Sequence, residues 1–182
     1  MVQLQESLSC HFVDHYGIGL GFYSMGRFDQ KKTTRLHLDG GPSCSFLLLG
    51  YEPSLVTSRF LVADYSRCAY ELELFPRQFL DQQNPMLTEA GREAIKPWTE
   101  EVPGWDDAIP RLVVINNSSL NQGDSLPGLG VLHGAEILHI PSPATPRIIN
   151  STMIVPTTAS PPGQSQAVIT FLETTQISGQ IL

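Results

Sequence analysis

Proline and glycine recur so often in this chain that few stretches leave room for a long helix. Fourteen prolines and fifteen glycines divide 182 residues. A proline inside a helix removes a hydrogen bond and clashes with the preceding turn, and glycine adds an entropic cost. Short strands between turns are the economical solution. Several runs suit strands. In Gly17 to Phe22, Ile18, Leu20 and Phe22 alternate with glycines, a period of two. Ser45 to Leu49 and Ser58 to Ala63 are short apolar runs, and Arg111 to Asn116 reads as a buried strand rich in valine and isoleucine. Gly130 to Ile140 and Arg147 to Val155 follow, parted by the proline-laden turn from Pro141 to Pro146. Helix signals are few. Leu87 to Ile95 is the best, with Thr88 as an N-cap before Glu89 and Pro97 as a stop. Leu72 to Leu80 is weaker, because Pro76 would sit inside it.

This pattern predicts a mainly β fold, a jelly roll or sandwich, as one domain over residues 1–182. Residues 65–105 read as a partly helical insertion between two groups of strands. Residues 157–182 read as a loose tail, with a Pro/Ser/Thr-rich linker from Thr157 to Gln166. The apolar run Ala167 to Leu172 suits an edge strand or part of a terminal helix.

Charge and cysteine content narrow the functional classes. The net charge of −7 and the lack of any basic run argue against a nucleic-acid partner. No apolar stretch reaches the length of a membrane span. Met1 to Cys10 lacks the basic start and apolar run of a secretory signal. Cys10, Cys44 and Cys68 have no metal-like spacing, so reduced thiols in a cytoplasmic protein are expected.

Chemistry enters with the histidines. The chain has five: His11, His15, His37, His133 and His139. In His37-Leu38-Asp39, an imidazole and a carboxylate stand two apart, and on a strand residues two apart face the same way. One further imidazole would complete a 2-His-1-carboxylate facial triad, which leaves positions on Fe(II) open for a chelating co-substrate and oxygen. His133 and His139 both lie on the later strand, six apart and so on one face. His11 and His15 are spaced for one face of a helix, but no carboxylate accompanies them, and they read as surface residues.

The order of these elements resembles the double-stranded β-helix of the 2-oxoglutarate-dependent non-haem Fe(II) oxygenases. A strand with His-x-Asp is followed by a long insertion, a strand with His, a short turn, and an arginine opening the next strand. The resemblance covers about Gly17 to Val155. It implies that His37, Asp39 and the distal histidine bind iron. The family's usual spacing to the arginine favours His133, with His139 as the alternative. It implies that Arg147 pairs with the far carboxylate of 2-oxoglutarate, for which a guanidinium fork is well shaped. Arg147 opens an apolar run, so its head is expected at the mouth of the barrel. Tyr23, expected at the end of the first strand, and Asn116, at the end of a buried one, are further candidates to touch the co-substrate. Packing for Tyr23 and backbone hydrogen bonding for Asn116 to Ser118 are the competing readings. Arg35 and Arg59 could meet a substrate carboxylate, or simply be solvated. Trp98 and Trp105 suit either a lid or packing of the insertion.

The implied reaction is oxidative decarboxylation of 2-oxoglutarate to succinate, coupled to hydroxylation or desaturation of a small molecule such as an amino acid or specialised metabolite. Halogenating relatives lack the carboxylate that Asp39 supplies. Only about sixteen residues precede Gly17, fewer than the family usually carries, which implies a minimal or truncated member, or one completed by a partner subunit such as a second copy. Two alternatives remain open: a cupin-like metalloenzyme without 2-oxoglutarate, whose usual His-x-His is absent, and a non-catalytic β-sandwich binding protein.

Overall fold

The computed structural model describes residues 2–119, 130–157, 170–171 and 175–177. The described chain is mainly β, with two four-stranded antiparallel sheets and four α-helices. The strands are β1 (Gly19–Asp29), β2 (Thr34–His37), β3 (Phe46–Tyr51), β4 (Thr57–Asp64), β5 (Thr99–Glu101), β6 (Arg111–Asn116), β7 (Val131–His139) and β8 (Ile148–Thr157). One sheet has the order β1-β8-β3-β6, the other β2-β7-β4-β5. The six strands read from sequence are all present, Arg111–Asn116 with the expected ends and the other five with shifted ones. Thr157 belongs to β8, where it pairs with Gly19. The rest of the expected linker, and most of Ala167 to Leu172, lie outside the described residues.

The core explains why some strands alternate and others do not. Leu47, Leu49 and Tyr51 of β3 point between the sheets, where they join Phe60, Ile115, Ile149 and Met153. The intervening Leu48 points the other way and packs with Leu20 and Ile154 beneath Leu4, Leu8 and Phe12. Both faces of β3 are covered, so its sequence is continuously apolar.

The cover over Leu48 is a helix that proline and glycine counting does not anticipate. Helix α1 spans Val2–Tyr16, and the first glycine of the chain is Gly17. Leu4, Leu8 and Phe12 are spaced four apart and form one stripe. Polar residues on the same side are buried and bonded. Gln5 Nε2 donates to the Leu20 carbonyl at 3.3 Å, and Ser9 Oγ accepts from Leu20 N at 3.3 Å. Gly17, at φ +66°, ends the helix and donates its N–H to the Val13 carbonyl. His11 and His15 lie with ring centroids 4.3 Å apart, tilted by 45°, on the exposed side of this helix.

The insertion is helical through residue 98. It contains α2 (Tyr65–Glu71), α3 (Pro76–Gln83) and α4 (Glu89–Ile95). Thr88 caps α4 as expected, accepting from Gly91 N at 3.1 Å. Pro76 does not interrupt a helix; it starts α3, where its missing N–H costs nothing. Residues 99–101 then return to the second sheet as β5, beside β4, so the insertion ends earlier than residue 105.

Cys68 is buried against α4, its thiol donating to the Ala94 carbonyl at 3.4 Å, whereas Cys10 and Cys44 are exposed. Burial, with Asp64 nearby, pushes the Cys68 thiol up to about 11. An aromatic disulfide reagent at neutral pH should therefore titrate two of the three thiols in the native protein and the third only after denaturation. Rapid reaction of all three would show that α2 and α4 do not pack as described. No described helix is long and apolar enough to cross a membrane.

Candidate metal centre

The second sheet brings two of the candidate ligands together through its strand register. His37, the last residue of β2, pairs directly with His133 of β7. Three residue steps on β2, from Thr34 to His37, span two on β7, from Ala135 to His133. That is a bulge, a device that re-aims side chains. Side chains stand in for parts of the ladder: Thr34 Oγ1 accepts from Ala135 N, and Thr33 Oγ1 from Ile137 N, both at 3.0 Å. Gly134 permits the close crossing. A Cβ there would lie 2.8 Å from the Thr34 carbonyl oxygen and 3.2 Å from the backbone of Arg35 and Leu36.

Asp39 lies just beyond the end of β2, and its backbone is held from the first sheet. Asp39 N donates to Asn117 Oδ1 at 2.9 Å, and Asn117 Nδ2 donates to the Asp39 carbonyl at 3.0 Å. The same amide reaches Ser45 Oγ at 3.2 Å, and Asn117 is buried. A single side chain thus does for Asp39 what a neighbouring strand would do.

The three side chains meet. His37 Nε2 is 3.3 Å from Asp39 Oδ1, and His133 Nε2 is 4.0 Å from the same oxygen. The imidazole centroids are 4.4 Å apart. One donor atom from each residue falls within 4.8 Å of the others. Ligands at metal–donor distances of about 2.1 Å on adjacent positions stand roughly 3 Å apart, so small side-chain adjustments close the set on one ion.

Hydrogen bonding and charge suit that role. His37 Nδ1 lies 2.7 Å from the Arg35 carbonyl. Donating from Nδ1 there assigns Nε2 to the Asp39 side, where it bonds the carboxylate as N–H or, on losing that proton, can bind a metal. His133 is 6% exposed, and its Nδ1 is buried without a hydrogen-bond partner. Burial, and then the neighbouring His37, lower the His133 pKa to about 4, so it presents a neutral imidazole. Burial disfavours the charged forms of His37 and Asp39, but their mutual hydrogen bond and attraction outweigh it. The His37 pKa is raised and that of Asp39 lowered. Two imidazoles crowded against one carboxylate form a donor set that a divalent cation would satisfy.

The triad stands in the wall of a cavity of about 640 Å³. Buried Leu49, Tyr51, Phe60, Ala135 and Ile149 line its floor. His139, at the far end of β7, is exposed and outside the cluster, because six residues along a strand carry it roughly 20 Å away. The distal member is therefore His133.

Arg147 departs from expectation. Its head is not at the mouth: the residue is 1% exposed and does not line the cavity. It sits just before β8, behind Tyr51 and Gln30, which do line it. The guanidinium lies over the Tyr51 ring at 5.1 Å, its Nη2 donates to Ser58 Oγ at 3.0 Å, and its Nε is 3.6 Å from Asp107 Oδ1. Asp107 anchors this group, accepting also from Ser58 N at 2.6 Å and Trp105 Nε1 at 3.3 Å. Such a partner forty residues upstream leaves no local sequence signal. Burial drives the Tyr51 hydroxyl pKa upward, although the positive charge of Arg147 opposes it.

Two further candidates are not brought to the site. Tyr23 is not at a strand end but at a bulge within β1, is 56% exposed, and does not line the cavity. Asn116 also lies outside the cavity wall and accepts from Ser118 N at 3.1 Å, the backbone role of a strand-ending asparagine. Its neighbour Asn117 is the one that touches the site. Arg35 lines the cavity, whereas Arg59 points away and bridges Glu101 and Glu136. Trp105 stacks on Phe60 with centroids 4.8 Å apart, and Trp98 packs with the helices, so both are packing residues.

Asn117→Ala should weaken divalent-metal binding about tenfold or more, because Asp39 loses its backbone clamp. Asn116→Ala should leave it unchanged. Competition with a chromogenic chelator measures both, and equal effects would remove Asn117 from the site. No protein-family model, curated protein or solved structure matches this chain.

Proposed function

We propose that the chain is an Fe(II)- and 2-oxoglutarate-dependent dioxygenase with a double-stranded β-helix fold, hydroxylating a small molecule. The observation that carries this reading is the meeting of His37, Asp39 and His133 in a cavity wall. The strand orders β1-β8-β3-β6 and β2-β7-β4-β5 support the fold assignment, since they are those of an eight-stranded jelly roll.

Bound Fe(II) would supply oxygen activation, with O2 oxidising 2-oxoglutarate to succinate and carbon dioxide and delivering its second oxygen atom to the substrate. The chain's own part is placement. His37, Asp39 and His133 would hold the ion through three side chains, few enough to leave positions for a co-substrate and oxygen. Asn117 fixes the Asp39 backbone, and the Arg35 carbonyl fixes the His37 tautomer. Leu49, Phe60 and Ile149 keep the cavity floor dry. Arg147 retains donor capacity despite Asp107. Its Nη1 has one long contact, 3.5 Å to Gln30 Oε1, and its Nε makes no hydrogen bond. In this reading its charge, set behind Tyr51, supports the far carboxylate of 2-oxoglutarate through Tyr51 at the cavity wall.

The test is succinate release from 2-oxoglutarate by the full chain with Fe(II) and ascorbate. Release that disappears in Asp39→Ala and in Arg147→Met is expected. Release that persists in Arg147→Met would favour a metalloenzyme without this co-substrate, and stoichiometric metal uptake with no release would do the same.

A further inference from the structure

The cavity rim carries a charge opposite to that of the chain. The protein has a net charge of −7, yet Lys31, Lys32 and Arg35 all line this one cavity. Two acidic residues line it as well, and both are committed. Asp29 pairs with Lys31 at 3.2 Å, and Asp39 belongs to the histidine cluster. Lys31 is further occupied by the Pro143 carbonyl at 2.7 Å. That leaves Lys32 and Arg35, both exposed, with no carboxylate partner among the described residues. Arg35 makes one hydrogen bond, Nη1 to the Met86 carbonyl at 3.1 Å, which holds its head at the rim and leaves most of its fork free.

Position relative to the triad gives the cluster meaning. Arg35, His37 and Asp39 follow one another at intervals of two, and all three line the cavity. Two residues along a strand cover roughly 7 Å. The cavity also has an apolar lining, formed by Phe28, Leu49, Phe60 and Ile149. A molecule bound here would meet cations at one end, hydrocarbon along its body, and the triad at the other end.

We infer that the substrate is an amphipathic carboxylate, held by Arg35 and Lys32 at the rim, with its apolar body reaching the metal centre; this rests on the dioxygenase reading for the reaction but not for the binding. Arg35 sets specificity through a bidentate pair with the carboxylate. Lys32 adds a point charge.

Octanoate and its neutral counterpart octanamide are suitable probes, titrated into the full chain by ligand-observed NMR. The titrations are run metal-free and with Zn(II) as a redox-inert ion, each with and without 2-oxoglutarate. Octanoate should bind about tenfold or more tightly than octanamide. Arg35→Gln should abolish that preference, while Arg59→Gln, which removes a cation outside the cavity, should preserve it. Saturating 2-oxoglutarate should leave octanoate bound. Equal binding of the two probes, no binding of either, or an unchanged preference in Arg35→Gln would overturn the inference. Displacement of octanoate by 2-oxoglutarate would overturn it too, since the rim cations would then hold the co-substrate. Failure of the dioxygenase reading shows separately, as absent succinate release with the octanoate preference intact.

Discussion

Asp39→Ala, His37→Ala and His133→Ala should each weaken divalent-metal binding by at least about a hundredfold, more than changes around a metal's ligands typically cost. His139→Ala should change nothing, because that imidazole is exposed at the far end of β7. His11→Ala should likewise be silent, although it breaks a histidine ring contact on α1. Equilibrium dialysis against Fe(II) under anaerobic conditions, or against Mn(II), reads the effect directly. The substitutions at 37 and 39 sit at partly exposed positions and should leave the fold intact. His133 is buried, so its variant needs a circular dichroism melt beside the binding data. Retention of affinity in Asp39→Ala would remove the carboxylate from the site.

The second large effect is expected at Arg147. Replacing it with methionine leaves the Asp107 carboxylate, only 7% exposed as a side chain, without its cation. Breaking a buried pair by removing one partner costs about 3–5 kcal/mol, and the hydrogen bonds from Ser58 and Trp105 place this case near the lower end. Urea denaturation at neutral pH should show the loss. Adding Asp107→Asn to Arg147→Met should restore part of the stability, since it removes the stranded charge. It should not restore succinate release, because the positive charge behind Tyr51 is still missing. This separates the two duties of the residue. A double variant that regains both would make Arg147 a structural residue only.

Much of this architecture is legible in the sequence because the long strands carry their own signal. The apolar runs of β3, β4, β6, β7 and β8 are continuous or β-branched, and turns bound them. The short strands are different. Thr34-Arg35-Leu36-His37 and Thr99-Glu100-Glu101 are polar, and pairing with β7 and β4 makes them strands. Helix α1 was hidden for another reason. Its buried stripe includes Gln5 and Ser9, which bond to the backbone of β1, so the apolar periodicity is diluted. The pairing of His37, Asp39 and His133 follows from spacing of two and strand register, and both leave a trace in sequence. The surroundings of Arg147 and the Asn117 clamp do not. They depend on Asp107 and Asp39, partners forty and seventy-eight positions away that only the folded sheets bring into contact.

The central claim is that one divalent ion is held jointly by three side chains from β2, the loop after it, and β7. Crystals of the protein grown with Mn(II) and measured for anomalous scattering test it most directly. The account predicts one strong peak per chain, within bonding distance of His37 Nε2, an Asp39 carboxylate oxygen and a His133 ring nitrogen. A peak lying instead between His11 and His15, or no peak at the triad in crystals that hold the ion elsewhere, would contradict it.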